Sequence, residues 1–377
     1  MIHPDTLHAP ARELASGRRS AAALLWRCVL LLGIAALPVA FSAVVDPARL
    51  VASRRAEGEI VGALLAGHYV TDVTNYDDRV IHRELALARR APVDVLALGS
   101  SRVQPLGAAA FPSARTFANS GVSGGSLDDV LAMYEPWDDP VRRPRRVVLE
   151  VDPWLLGAED PAAAWSAVAD ARARMLDRLG VPNSLALDRA RLVVRTVKRL
   201  AAPEYFRLSV FSLRHHGLRG IPFAITDREQ NTEKTMRPDG SLAWMPVTPN
   251  EAQSLARQYL AAEITGDPRY VGLDRARSAR AEHVLEALVL RMRSQGSETS
   301  ILLVPYHPAT WAAFARRSPS PLAEAERRFR GIAMRAGVQV VGRYDPARCG
   351  ARAEDFFDES HARPALLARV IAGACER

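Results

Sequence analysis

The chain has 377 residues, which is long enough for one large domain or two small ones. Its 48% hydrophobic and 24% charged residues are typical of a globular protein. The net charge of +8 comes almost wholly from arginine, since Lys198 and Lys234 are the only lysines, and no basic run is interleaved with aromatic residues. This pattern indicates a solvated, arginine-rich surface and argues against a nucleic-acid-binding protein.

An apolar segment near the N-terminus predicts a membrane anchor. Residues 1–20 are polar and basic, and an uncharged run extends from position 28 to position 45. A bilayer-spanning helix needs about 20 apolar residues. We therefore expect a cytoplasmic tail over 1–20 and a single-pass anchor over 21–45 in the cell inner membrane, with the large domain periplasmic or otherwise extracytoplasmic. The alternative is a cleaved signal peptide, because residues 40–42 resemble a small-x-small cleavage site.

Strand-like and helix-like segments alternate along the rest of the chain, which predicts an α/β fold with a parallel sheet covered on both faces. A membrane-proximal segment over 46–90 precedes a main domain over 91–377. The strands are expected at 93–98, 116–118, 146–151, 299–304 and 338–341, and the helices at 127–134, 276–293, 322–336 and 364–375. The stretch 157–268 interrupts the alternation and predicts an inserted lid or substrate-binding subdomain, with helices near 162–179 and 185–200.

Two late cysteines are consistent with an extracytoplasmic domain. Cys349 and Cys375 flank the sequence positions 358–361, and in an oxidising compartment they can form a disulfide. The other interpretation is two unrelated thiols. No Cys-x-x-Cys or histidine-rich cluster indicates a metal site, and we expect neither metal nor cofactor.

Two short motifs far apart in the chain carry the chemistry. Gly99-Ser100-Ser101-Arg102 follows the first predicted strand, and Asp358 and His361 lie three residues apart before the last helix. A serine hydroxyl needs a base to remove its proton, and the base needs an orienting carboxylate. Either motif alone also fits an ordinary turn or helix start, but their order and their positions at strand ends predict Ser101 as nucleophile, His361 as base and Asp358 as its partner.

With these motifs placed, the chain resembles the SGNH/GDSL hydrolase superfamily. Gly99-Ser100-Ser101 is similar to the family's Gly-Asp-Ser block, with Ser in place of Asp, and Asp358 with His361 matches its Asp-x-x-His block. The resemblance implies a three-layer, flavodoxin-like fold with five parallel strands. It is strongest for membrane-anchored, extracytoplasmic members, which are similar to proteins of envelope polysaccharide O-acetylation and lipoteichoic acid D-alanylation. Those members share the Asp-Pro elements seen here at 46–47 and 152–153.

The resemblance also implies an oxyanion site, one part of which is missing. Gly124 corresponds to the family's oxyanion glycine, and its backbone N–H would act together with that of Ser101. The family's Gly-x-Asn-Asp block corresponds to residues 149–152 here, which lack the Asn. Loss of one oxyanion donor typically lowers the rate by a factor of about 100 to 1,000. Asn119 is a candidate replacement donor.

Polar residues near the predicted strand ends are candidate substrate contacts, because ligands of parallel sheets gather there. They are Arg102, Asp152, Tyr306 and His307. Arg102 has an equally good alternative role as a structural ion-pair partner, and a histidine at a strand end is more often simply hydrogen-bonded.

Two functions of different classes follow from the sequence. The first is a serine esterase or O-acyltransferase acting on acyl groups of envelope polysaccharide, with that polysaccharide or its acyl-donor system as partner. The second is a non-catalytic assembly or glycan-binding protein on the same fold, which the missing Asn keeps open.

Overall fold

The computed structural model describes residues 9–46, 55–73, 76–157, 167–183, 185–217, 223–262 and 278–375. The chain divides into two compact units. The first comprises Met1–Ser53 with Ala190–Gly220, and the second comprises Arg54–Arg189 with Ile221–Arg377. The chain thus enters the second unit at Arg54 and not at residue 91, and the predicted insertion is shared between the two units.

A five-stranded parallel sheet forms the centre of the second unit. The strands of the described chain, in sequence order, are β1 Tyr69–Thr71, β2 Val95–Gly99, β3 Phe117–Gly121, β4 Arg146–Glu150, β5 Ala224–Thr226, β6 Thr235–Met236, β7 Leu242–Ala243, β8 Glu298–Leu303 and β9 Gln339–Gly342. The parallel sheet has the order β3-β2-β4-β8-β9. This is the flavodoxin-like order, whose switch point lies between β2 and β4.

Helices cover both faces of this sheet, because successive residues of each strand point to opposite sides. The helices of the described chain are α1 Ala9–Val45, α2 Arg55–Leu65, α3 Asp78–Ala88, α4 Leu127–Tyr134, α5 Ala169–Arg178, α6 Leu185–Leu200, α7 Pro203–His216, α8 Pro249–Ala262, α9 Ala279–Ser294, α10 Pro308–Ala315, α11 Pro321–Ala336 and α12 Pro364–Ile371. Leu96 and Leu98 pack into one core with α4, α9 and α11, whereas Val95 and Ala97 face the core that includes α12.

All five predicted strands are present, within one or two residues at their starts. The helix expected at 127–134 has those bounds, and that expected at 185–200 is α6. The last helix ends at Ile371 rather than at 375. Part of the helix expected at 162–179 and the end of the insertion lie outside the described residues.

A second, antiparallel sheet has the order β5-β1-β6-β7 and was not predicted. It pairs β1, from the segment expected to be membrane-proximal, with strands of the insertion. Residues of α2, α3 and these strands share a third apolar core that includes Trp244 and Phe357. This packing explains why the second unit begins at Arg54: the segment from there to residue 90 supplies a strand and two helices to it.

In the part of the chain that the structure describes, one helix is long and apolar enough to cross a membrane. Within α1, the segment Leu24–Val45 has 22 residues and a mean hydropathy of 2.6, and most of its side chains are exposed. The described part of this helix begins at Ala9, within the segment 1–20 that was expected to be a cytoplasmic tail. Pro38 lies inside the helix. A core helix or a signal sequence meets the same criteria of length and composition.

The predicted disulfide between Cys349 and Cys375 is present, with the two Cα atoms 4.1 Å apart. It joins a 3-10 turn after β9 to the chain following α12. The closed loop, with a sequence separation of 26, contains Asp358 and His361. In the chain-entropy model such a loop stabilises the folded state by roughly 3 kcal/mol.

We expect the double substitution Cys349→Ser/Cys375→Ser to lower the free energy of unfolding by about 3 kcal/mol, because the unfolded chain regains the freedom of that loop. Urea denaturation without reductant measures the change. Cys28→Ser is the matched control, since Cys28 is exposed and unbridged, and it should shift the free energy by less than about 0.5 kcal/mol. Equal stability of the double variant and the wild type would contradict a bridge in the mature protein.

Candidate active site

Ser101, His361 and Asp358 lie together at the carboxyl end of the parallel sheet. The Ser101 Oγ is 2.9 Å from His361 Nε2. The other ring nitrogen, Nδ1, is 2.8 Å from Asp358 Oδ2 and 2.9 Å from Oδ1. These are hydrogen-bonding distances between a hydroxyl, an imidazole and a carboxylate in the order that nucleophilic catalysis requires.

The turn that presents Ser101 is anchored on the end of β4. The Ser100 N–H donates to Glu150 Oε2 at 2.8 Å, and the Ser100 hydroxyl donates to Asp152 Oδ2 at 2.5 Å. Gly99 has a φ of +147°, and a Cβ there would lie 2.4 Å from Glu150 Oε2. Only glycine therefore lets the chain turn this close to β4, which leaves Ser101 at the switch point between β2 and β4.

Arg102 holds the nucleophile turn and the base loop together. Its side chain is 1% exposed and donates to Asp152 Oδ1 at 2.5 Å and to the Ser360 carbonyl at 3.1 Å. It also donates to the carbonyls of Val304 and Pro305, at the end of β8. Ser360 directly precedes His361, so this one guanidinium connects the chain next to the nucleophile with the chain next to the base.

Two buried carboxyl groups, those of Glu150 and Asp152, lie beneath this turn next to the Arg102 guanidinium. Burial, together with the neighbouring Asp152, raises the pKa of Glu150 well above its ordinary value. The raised pKa favours the protonated form of Glu150, and Asp152 is paired with Arg102. Protonation of Glu150 beside this ion pair lowers the amount of uncompensated charge in the interior.

The local fold of the 358–361 segment orients the base. The Ser360 and His361 N–H groups donate to Asp358 Oδ1 at 2.9 and 2.8 Å, and the Phe357 N–H donates to the His361 carbonyl at 2.8 Å. Burial opposes ionisation of Asp358, but the adjacent His361 ring and these N–H donors outweigh it and lower its pKa to about 2. Asp358 is consequently an ionised acceptor for Nδ1–H across the physiological range.

The loop that carries the predicted oxyanion glycine packs on the nucleophile turn. A Cβ on Gly125 would lie 2.9 Å from the Gly99 carbonyl oxygen and 3.1 Å from the Ser100 Cα. Gly124 has a φ of +58°. Within the described chain, neither its backbone N–H nor that of Ser101 has a hydrogen-bond acceptor. Both groups are thus available to a ligand.

Two buried residues of α3 hold this loop in place. Asp78 Oδ2 accepts from the Ser123 N–H at 2.6 Å, and Arg79 donates to the Ser123 carbonyl at 2.9 Å. Arg79 is in turn paired with Asp129 at 2.6 Å. The segment that the sequence assigned only to a membrane-proximal role therefore positions the residue next to Gly124.

Asn119 does not replace the missing oxyanion donor. It is 2% exposed, and its amide nitrogen donates to the carbonyls of Val103 and Leu106 at 2.9 Å each. Its Oδ1 accepts from the Gly121 N–H at 2.8 Å. The side chain is used to hold the turn after Ser101 against β3.

The four predicted substrate contacts are also buried, and this corrects the prediction. Arg102 has the alternative role of a structural ion-pair partner, because its guanidinium N–H groups donate to Asp152 and to backbone carbonyls. Asp152 accepts from Ser100 and Arg102, and Tyr306 lies beneath the guanidinium, 3.7 Å from ring centroid to Cζ. His307 is 2% exposed and caps α10 by accepting from the Ala309 N–H at 3.2 Å, and burial lowers its pKa against the opposing field of Asp358.

Two residues that the sequence did not single out lie beside the base. The Trp244 ring is 4.3 Å from the His361 ring and stacks on Phe357 at 5.3 Å. The Lys234 Nζ lies 3.7 Å from the Trp244 ring centroid. Burial lowers the pKa of Lys234, and the Asp358 carboxylate opposes this shift. Both residues come from the insertion, and no motif marks either of them.

Among the described residues, no group of three or more His, Cys, Asp or Glu side chains is placed to hold a metal ion. No protein-family model matches the chain, and no curated protein matches it significantly. The interpretation of this site therefore depends on its geometry and chemistry.

The first prediction from the site concerns Arg102. Arg102→Ala should lower the free energy of unfolding by about 3–5 kcal/mol, because it leaves Asp152 charged and buried without its partner. Arg145→Ala is the matched control, since Arg145 pairs with Asp94 while 80% exposed, and it should cost less than about 1 kcal/mol. Denaturant unfolding measures both, and equal losses would show that the buried pair is not a stabilising element.

The second prediction concerns the pH dependence of stability. A carboxylate whose pKa is lowered to about 2 by folding stabilises the native state above its unfolded pKa, and this contribution is lost as the pH falls towards 2. Asp358→Asn lacks the carboxylate. The stability difference between wild type and variant should therefore shrink by on the order of 2 kcal/mol between about pH 5 and pH 2. A pH-independent difference, measured by urea titrations across that range, would contradict the lowered pKa.

Proposed function

We propose that this protein is a serine esterase or O-acyltransferase acting on acyl groups of cell-envelope polysaccharide. The observation that carries the proposal is the 2.9 Å contact from Ser101 Oγ to His361 Nε2, with Asp358 on the opposite ring nitrogen. The position of Ser101 at the switch point of the sheet supports it, because ligands of such sheets bind there.

The proposed reaction is acyl transfer in two steps. His361 Nε2 removes the Ser101 proton as Oγ attacks the ester carbonyl carbon, and the Ser101 and Gly124 N–H groups stabilise the resulting oxyanion. The imidazolium then gives its proton to the departing alkoxide, which leaves an acyl group on Oγ. Water as acceptor completes hydrolysis, and a sugar hydroxyl completes transfer. Asp358 favours the His361 tautomer with its proton on Nδ1, which leaves Nε2 free to accept.

The envelope substrate and the membrane location form a separate part of the proposal. They are supported by the resemblance of the Gly-Ser-Ser-Arg and Asp-x-x-His motifs to membrane-anchored SGNH hydrolases, and by the apolar helix that is long enough to cross a bilayer. The disulfide between Cys349 and Cys375 is consistent with a domain in an oxidising compartment. We place the enzyme in the inner membrane with its second unit outside the cytoplasm.

One observation favours a non-catalytic alternative. The family's third oxyanion donor is an Asn side chain, and the corresponding residue here is Val151, which has no side-chain donor. The neighbouring Asp152 is a buried acceptor that is occupied by Ser100 and Arg102. Asn119, the other candidate, already donates its side-chain amide N–H groups to backbone carbonyls. A site with only two backbone donors is weaker by the factor that one donor supplies, about 100 to 1,000. The alternative is a glycan-binding or assembly protein on the same fold.

A fluorophosphonate probe tests the proposal, because it forms a stable phosphorus–oxygen bond only with an activated serine. The intact protein should be labelled, with the modification located on Ser101 rather than on Ser100 by mass spectrometry. Ser101→Ala should abolish labelling and lower the hydrolysis of p-nitrophenyl acetate by at least about 1,000-fold. His361→Ala should reduce both, because Oγ loses its base.

Ser123→Ala is the matched control for this experiment. Ser123 is an exposed serine on the loop beside Gly124, and only its backbone is used by Asp78 and Arg79. Its loss should leave labelling and hydrolysis within about 2-fold of wild type. An intact, folded protein that is not labelled would overturn the esterase proposal and favour the binding protein.

A further inference from the structure

The second half of α6 presents an apolar face that nothing covers in the described chain. Val193, Val194 and Val197 are 62%, 54% and 53% exposed. At about 100° per residue these valines fall on one side of the helix, Arg199 falls on the opposite side, and Lys198 flanks the valines next to Val194. A helix with an exposed apolar face and a basic opposite face is typical of one lying in a membrane interface.

The next helix, α7, packs on the end of the candidate membrane span. The Tyr205 hydroxyl is 2.7 Å from Asp46 Oδ1, and the rings of Phe206 and Phe41 are 5.3 Å apart. Tyr205 is buried in this contact. The first turn of α7 therefore lies beside the last turns of α1, at the depth where a span that ends near position 45 reaches the bilayer surface.

The outward side of α7 combines aromatic and basic side chains. Phe211 and Leu208 are 54% and 41% exposed, and Arg207 and Arg214 are exposed beside Phe211 on the same side of the helix. Exposed aromatic and arginine side chains of this kind suit the headgroup level, where the rings are buried and the guanidinium groups reach water and phosphate.

The charge of residues 190–217 points to a particular lipid. Six basic residues, Arg191, Arg195, Lys198, Arg199, Arg207 and Arg214, occur there against one acidic residue, Glu204. Lysine and arginine side chains near an anionic bilayer surface are attracted to its negatively charged headgroups. The apolar residues provide the insertion and the cations provide the preference for negatively charged headgroups.

We infer that residues 190–217 form a membrane-surface collar: the apolar face of α6 and the exposed ring of Phe211 insert into the interface of an anionic phospholipid bilayer beside the α1 span. The inference rests on the proposed membrane anchor. It assigns this part of the insertion to lipid binding instead of to a lid. A lipid surface fits better than a second copy of the chain, because residues 190–217 carry a large excess of positive charge and α7 packs on the candidate span.

Depth-dependent fluorescence quenching in the full-length protein tests the collar. The protein is reconstituted into vesicles of phosphatidylethanolamine and phosphatidylglycerol, with and without a phospholipid that carries a nitroxide near its headgroup. A bimane is attached to one cysteine at a time: native Cys28 within the span, or Val194→Cys or Phe211→Cys in a Cys28→Ser background. We expect the nitroxide to lower emission at positions 194 and 211 by about 2-fold or more, as for a side chain at the headgroup boundary.

Met334→Cys in the same background is the matched control. Met334 is an equally apolar side chain, 77% exposed on α11 in the second unit, and its bimane should be quenched by less than about 10%. Replacing the anionic lipid with phosphatidylcholine should weaken quenching at 194 and 211, since the attraction of the basic residues is lost.

The outcomes separate the collar from the anchor. Quenching at Cys28 but not at 194 and 211 would overturn the collar and leave the anchor in place. A bimane at 211 that is shielded from water but not quenched by lipid would mean that protein covers the face, which also overturns the inference. No quenching at Cys28 would overturn the proposed anchor, and the collar with it.

Discussion

The buried pair of Arg102 and Asp152 is the constraint on which the candidate site depends. Arg102 reaches the end of β4 through Asp152, the end of β8 through the Val304 carbonyl, and the base loop through the Ser360 carbonyl. Ser101 and His361 are 260 positions apart in the sequence. Their 2.9 Å contact thus depends on a guanidinium that touches neither side chain but fixes the backbone next to both.

Such a pair requires its surroundings to be electrically balanced. Two carboxyl groups and one guanidinium lie in the interior at this point, and the raised pKa of Glu150 favours its neutral form beside the ion pair. Glu150 accepts from the Ser100 N–H, and its position leaves no room for a side chain on Gly99. The Gly-Ser-Ser sequence is therefore explained in part by what lies underneath it: glycine for clearance, and the first serine as a donor to Asp152.

The sequence predicted the parallel sheet and the triad for a physical reason. Buried parallel strands are continuous apolar runs such as 93–98, and their carboxyl ends must meet at one edge, where Ser101 lies. The antiparallel sheet was missed because strands as short as Thr235–Met236 and Leu242–Ala243 carry no readable alternation. Asp152, Tyr306 and His307 were misjudged because a strand-end position predicts the edge of the sheet but not whether a side chain faces solvent or the interior.

Trp244 and Lys234 could not be predicted from sequence motifs. Neither has a characteristic spacing from Ser101 or His361, and each reaches the site only because β1 pairs with β5 and β6, which joins residues near 70 to the insertion. Trp244 then packs on Phe357, the residue before Asp358, so the core that the antiparallel sheet shares also supports the segment that carries His361. Ser101 lies at the edge of the parallel sheet, and the insertion supplies the Trp244 ring that lies against the His361 imidazole. A residue supplied by an inserted segment can change without altering the strands of the sheet, so the surroundings of His361 depend on the insertion as well as on the motif residues.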